Sequence, residues 1–170
     1  MTNHLDPQHE SARTLASILI QRGWKIALAE SCTGGLVCAT LTDLAGSSDW
    51  FERGYITYSN EAKTECLGVP AETIESFGAV SEPVAIGMAE GARLNANVNV
   101  AISITGIAGP TGGSPDKPVG TVCFAWTINK NITHDAIETT SITQQFSGNR
   151  QAVREQACDY AISRLVRLLQ

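Results

Sequence analysis

The chain has 170 residues, 43% of them hydrophobic and 17% charged, enough apolar material for one globular domain with its own core. Twelve basic against 17 acidic residues leave a formal charge of −5, and no basic run exists, which argues against nucleic-acid binding by counterion release. No apolar segment reaches the roughly 18 uninterrupted residues of a membrane span, and the polar start MTNHLDPQHE is unlike a signal peptide, so the expectation is a cytoplasmic protein without a membrane partner.

Residues 1–9 read as a disordered N-terminus, followed by a single domain over 10–170. From Glu10 to Arg22 the apolar positions Ala12, Leu15, Ile18 and Leu19 recur at helical spacing, and Gly23 is a natural stop. Trp24 to Ala29 reads as a buried strand. The stretch ALAESCTGG at 27–35 then turns through small and polar residues into an apolar helix, Leu36 to Leu44. After the break at Gly46 to Asp49, Trp50 to Tyr58 is rich in aromatic and β-branched residues and reads as a strand. Asn60 to Leu67 is a short helix closed by Gly68, and Pro70 to Phe77 holds another.

Ser81-Glu82-Pro83 is a helix start, with a Ser N-cap, an early acid and proline in the first turn; the helix runs to about Leu94. Val98, Val100, Ile102 and Ile104 alternate with smaller residues in a central strand ending at Thr105. A long loop, GIAGPTGGSPDKPVG at 106–120, follows. Val122 to Ile128 and Ala136 to Ile142 form a hairpin across Asn129-Lys130-Asn131, with His134 at the start of its second strand. Val153, Ala157, Tyr160, Ala161, Leu165 and Leu168 stripe a last helix that begins near Asn149. Helices alternate with strands over most of the length, which predicts an α/β layered fold on a mostly parallel or mixed sheet. Ligands in such folds gather at strand carboxyl ends, here Glu30-Ser31, Tyr58-Ser59 and Thr105-Gly106.

Five cysteines, scattered and never in a C-x-x-C pair, indicate neither a disulfide framework nor a zinc site. His4, His9 and His134 stand at no metal-ligand spacing, so no metal and no cofactor are expected. Ser31 reads either as a helix N-cap or as a nucleophile. The second role needs a base, and the histidines are badly placed for it. Of the four lysines, Lys25 lies in a strand, Lys117 in the long loop and Lys130 in a turn. Lys63, in the first turn of a helix just after the strand end at Tyr58, is the best-placed base, unless it is an ordinary exposed helical lysine. Cys32 is the weaker alternative nucleophile. Backbone N–H groups at 32–35 suit either an oxyanion or a phosphate. Arg150 opens the last helix and suits a phosphate, or is simply solvated.

Taken together, AESCTGG at 29–35, Tyr58-Ser59-Asn60 with Lys63, GAVSE at 78–82, TGIAGPTGG at 105–113, KPVG at 117–120 and FSGNR at 146–150 resemble the nicotinamide-nucleotide amidase family, that of the C-terminal domain of the competence/damage-inducible protein CinA. The resemblance spans about residues 10–168, in matching order. It implies the stand-alone amidase form, a metal-free Ser/Lys amidohydrolase that converts nicotinamide mononucleotide to nicotinic acid mononucleotide and ammonia. It further implies Ser31 as nucleophile, Lys63 as general base and Tyr58 as a helper in proton transfer. Thr33, Gly34, Gly35, Asn60, Thr105, Gly106 and Arg150 would contact the substrate. The competing readings are a catalytically silent relative that binds a nucleotide or a protein, and an amidase for another pyridine amide. The resemblance is compatible with a homo-oligomer, although no exposed apolar stripe assigns an interface.

Overall fold

In the computed structural model, residues 7–130 and 136–170 are described, with the side chains of 7–9 excepted. The elements run α1 (Pro7–Arg22), β1 (Ile26–Glu30), α2 (Leu36–Thr42), a 3-10 turn at Ser47–Asp49, β2 (Phe51–Ile56), α3 (Asn60–Leu67) and α4 (Ala71–Phe77). They continue as α5 (Glu82–Ala96), β3 (Val100–Gly106), β4 (Thr121–Asn129), β5 (Ile137–Gln145) and α6 (Arg150–Leu169). One five-stranded sheet has the order β2-β1-β3-β4-β5. β1 pairs in parallel with both β2 and β3, whereas β3–β4 and β4–β5 are antiparallel. The sheet is therefore mixed, with its parallel half on the side of the candidate site.

The central strands are buried on both faces, and the two faces differ in side-chain size. Ile26, Leu28, Val100, Ile102, Ile104, Phe124 and Trp126 pack against α1, α2 and α6 in the main core. The intervening Ala27, Ala29, Ala101, Cys123 and Ala125 face α5 and its neighbours. Small sheet residues opposite Ala85, Ala89, Ala92 and Ala96 let α5 lie close to the strands. Each large side chain buried on the other face contributes about 1.5–3 kcal/mol. α3 is drawn equally close to α5: a Cβ at Gly91 would stand 2.0 Å from the Leu67 carbonyl oxygen.

Several expected boundaries move. The first helix begins at Pro7, inside the segment expected to be disordered; residues 1–6 lie outside the described residues. β2 stops at Ile56, because Thr57 to Ser59 turn away to support α3. α5 continues past Leu94 to Ala96 and closes at Asn97 with a left-handed φ of 50°. β5 runs on to Gln145, since its hydrogen-bond partner β4 is long enough to pair with all of it. The hairpin is antiparallel as expected, but residues 131–135, with His134, lie outside the described residues. Among the described residues no helix is long and apolar enough to cross a membrane.

Candidate active site

The three strand ends converge on one cavity of about 200 Å³, lined by Ser31, Cys32, Tyr58, Asn60, Lys63, Ala79, Val80, Thr105, Gly106, Ala108 and Arg150. Larger grooves of about 360 and 730 Å³ lie over α3/α4 and α3/α5, but neither pairs a nucleophile with a lysine or histidine.

Ser31 directly follows β1 and is held from both sides. Its N–H donates to the Ile104 carbonyl at 2.9 Å, and the Thr57 N–H donates to the carbonyl of Glu30 at 2.9 Å. The serine thus sits where the hydrogen-bonding of β1 to both parallel neighbours runs out. Its side chain does not cap α2, whose N-cap position is Gly35 with a left-handed φ of 98°.

Lys63 is brought to it by the local chemistry of α3. Ser59 is the N-cap, its hydroxyl accepting from the Ala62 N–H at 3.0 Å, and Gly68 closes the helix with φ 71°. This places Lys63 in the first turn, on the side that faces the sheet, where it is only 1% exposed. It is the one lysine of the four that the fold buries. Its Nζ stands 3.3 Å from Ser31 Oγ, 2.9 Å from the Thr57 carbonyl, 3.3 Å from that of Ser59 and 3.5 Å from that of Tyr58. Burial pushes the Lys63 ammonium below its ordinary 10.5, with the Glu61 charge working the other way. A deprotonated Lys63 has two N–H groups and one lone pair. Donation to the Thr57 and Ser59 carbonyls leaves that lone pair for the Ser31 hydroxyl proton.

Cys32 lies beside the serine but is chemically muted. Burial, assisted by the Glu30 charge, pushes its thiol up to about 12, so it carries almost no thiolate near neutrality.

Tyr58 is 60% exposed at the cavity mouth, where its hydroxyl accepts from Arg150 Nη2 at 3.0 Å. Arg150 Nη1 donates to the Gly109 carbonyl at 2.8 Å, so one guanidinium links the tyrosine to the glycine-rich loop. The other end of that loop is tied down by Lys117, whose Nζ donates to the Phe77 carbonyl at 2.8 Å. Thr105 Oγ1 donates to the Ala79 carbonyl at 2.8 Å and binds the end of β3 to the cavity wall. Arg150 itself follows the N-cap Asn149, whose side chain accepts from the Ala152 N–H at 2.9 Å.

Of the expected site residues, Ser31, Lys63, Tyr58, Asn60, Thr105, Gly106 and Arg150 line the cavity, whereas Thr33, Gly34 and Gly35 do not. The Gly34 N–H donates to the Ser31 carbonyl at 3.0 Å and the Gly35 N–H to Glu30 Oε2 at 2.9 Å, so neither is free for a ligand. The residue that sequence reasoning passed over is Glu30. It is completely buried, and its carboxylate also accepts from the Val37 and Cys38 N–H groups at 3.2 and 2.8 Å. An acid between a β-strand and a glycine pair is the signal that pointed to it. Arg154 was likewise missed; its Nη2 donates to the Thr33 carbonyl at 2.9 Å. Among the described residues, no group of three or more His, Cys, Asp and Glu is placed to hold a metal ion.

Comparison with known proteins matches this arrangement to a family. The model of the CinA C-terminal domain matches residues 8–169. The nicotinamide-nucleotide amidohydrolase PncC of Escherichia coli strain K12 is 53% identical over 144 residues, covering 85% of this chain and 84% of the relative. A CinA-like protein of Syntrophobacter fumaroxidans is 52% identical over 151 residues; the match covers 89% of this chain but only 34% of that longer relative. Among solved structures, the competence/damage inducible protein CihA from Agrobacterium tumefaciens is 37% identical, covers all of both chains and has a TM-score of 0.91. The chain belongs to the CinA C-terminal domain family.

Proposed function

We propose that this chain is a nicotinamide-nucleotide amidohydrolase that converts nicotinamide mononucleotide to nicotinic acid mononucleotide and ammonia, a step of pyridine nucleotide salvage. The relatives named for this activity are about as long as this chain and share about half of its aligned residues, as in the Escherichia coli protein at 53% identity. The observation that carries the mechanism is the buried contact of Lys63 Nζ with Ser31 Oγ at 3.3 Å. Deprotonated Lys63 takes the hydroxyl proton as Ser31 Oγ attacks the carboxamide carbon. The tetrahedral intermediate collapses as the nitrogen leaves, protonated by Lys63 with Tyr58 assisting. Water then attacks the nicotinoyl ester on Ser31, again with Lys63 as base, and releases the acid. The pyridine ring lies in the cavity between Thr105-Gly106 and Asn60, and the phosphate lies at the mouth against Arg150, freed from Tyr58 and Gly109. The chain acts in the cytoplasm on this small-molecule substrate.

The test follows ammonia and nicotinic acid mononucleotide from the purified chain, wild type and Ser31→Ala. Turnover by the wild type and none by the variant is the expected result. Binding of the nucleotide without turnover by the wild type assigns the chain as a silent relative. Turnover of another pyridine amide in its place redefines the substrate.

A further inference from the structure

From Ser31 to Cys38, six of the eight backbone N–H groups have an acceptor among the described residues. Ser31 donates to Ile104, Gly34 to Ser31 and Leu36 to the Thr33 carbonyl at 3.1 Å. Gly35, Val37 and Cys38 donate to the Glu30 carboxylate. Among the described residues, no carbonyl or carboxylate takes the N–H of Cys32 or of Thr33. Buried backbone donors are almost always paired, so two adjacent unengaged ones directly after a nucleophile are a feature to explain. Cys32 lines the cavity with Ser31. Its N–H belongs to the peptide unit that follows the nucleophile, the position from which a backbone donor reaches the oxyanion formed by attack of that residue.

We infer that Glu30 is a positioning residue: by taking the N–H groups of Gly35, Val37 and Cys38 for itself, it locks the turn at 31–35 and reserves the Cys32 N–H for the substrate oxyanion. The inference rests on the amidohydrolase reading above. The Glu30 carboxylate occupies the N–H groups of Gly35, Val37 and Cys38, so none of these three is open to the substrate phosphate. Three charge-assisted hydrogen bonds to one fully buried carboxylate make the lock stiff. Arg154, holding the Thr33 carbonyl from α6, braces the same turn from the opposite side.

The experiment compares wild type and Glu30→Gln on nicotinamide mononucleotide and on its thioamide analogue, whose sulfur accepts hydrogen bonds poorly. A glutamine turns one accepting oxygen into a donor facing another donor, which loosens the turn while conserving shape. The expected result is a kcat lowered at least about tenfold with KM held within about twofold, because a donor aimed at the transition state is displaced. The wild-type preference for amide over thioamide also shrinks, a readout that loss of stability alone does not move. A folded variant with kcat within about threefold of wild type, or a rise in KM with the preference unchanged, overturns the inference. If Glu30→Gln does not fold, Arg154→Met takes its place: a lower kcat with a reduced preference supports the lock, and an unchanged preference overturns it. Ser31→Ala in the same assay separates the two levels, since its continued activity removes the serine mechanism itself, whatever Glu30 does.

Discussion

Lys63 Nζ and Ser31 Oγ meet at 3.3 Å although 32 positions separate them in the chain. The meeting depends on parallel pairing of β1 with β2, which sets Ser31 level with the residues that launch α3. In the proposed mechanism the buried amine activates the hydroxyl beside it, and neither half works alone. Ser31→Ala and Lys63→Met are each expected to lower kcat by at least about 10³-fold, and the double variant by little more than either, since the residues act as a unit. Ammonia release measured for the three variants checks this.

In the proposed mechanism the protonation state of Lys63 sets the pH profile. Burial holds it below 10.5, and a general base works only when deprotonated. Activity therefore rises with pH through the Lys63 value and levels off above it, on a limb centred below 10.5. Stability has the same sign: between the folded value and 10.5 the unfolded chain holds a proton that the folded chain lacks, so stability rises with pH across that window. A pH series of kcat/KM, with urea unfolding of wild type against Lys63→Met, measures both.

Arg150 is expected to bind the substrate phosphate after leaving Tyr58 and Gly109. Arg150→Ala should raise KM for nicotinamide mononucleotide by about 10- to 100-fold, the scale of a lost charge-assisted contact. It should have much less effect on the corresponding riboside, which lacks the phosphate. Steady-state kinetics on the two substrates checks the difference.

The thiols differ sharply in environment. Cys32 and Cys158 are pushed up to about 12 and about 11, mainly by burial, and Cys38 and Cys123 are raised for the same first reason. Cys66 is exposed. Titration of the native protein with a thiol reagent near pH 8 should show one fast-reacting thiol, and Cys66→Ser should remove it.

Gly91 is expected to matter for activity as well as stability. A Cβ there would strike the Leu67 carbonyl, which is backbone and cannot rotate away. Gly91→Ala should push α3 outward, lower stability by about 1–3 kcal/mol and reduce kcat, because α3 carries Lys63. Chemical denaturation and the ammonia assay measure the two effects.

Much of this arrangement is legible in the chain itself. Caps and breakers mark the helices closely: Ser59 and Gly68 bracket α3, Ser81 opens α5 and Asn149 opens α6. These are local effects of side-chain oxygens on nearby N–H groups and of glycine at left-handed φ, so they survive without tertiary context. The strand-turn-helix at 27–35 and the gathering of polar strand ends follow from the same kind of local pattern.

Tertiary structure decided the chemistry. In sequence Lys63 is a lysine in a helix; its burial, its three carbonyl neighbours and its contact with Ser31 exist only once β1, β2 and α3 are packed together. By sequence the N–H groups at 32–35 suit either an oxyanion or a phosphate, and the fold turns those of Gly34 and Gly35 inward. Hydrogen bonding of Gly35, Val37 and Cys38 to Glu30 requires a carboxylate to be buried against the first turn of α2, which no local propensity encodes. Spacing along the chain indicates which groups could reach a site. Which of them stay free for a substrate is settled only when every buried donor has found its acceptor.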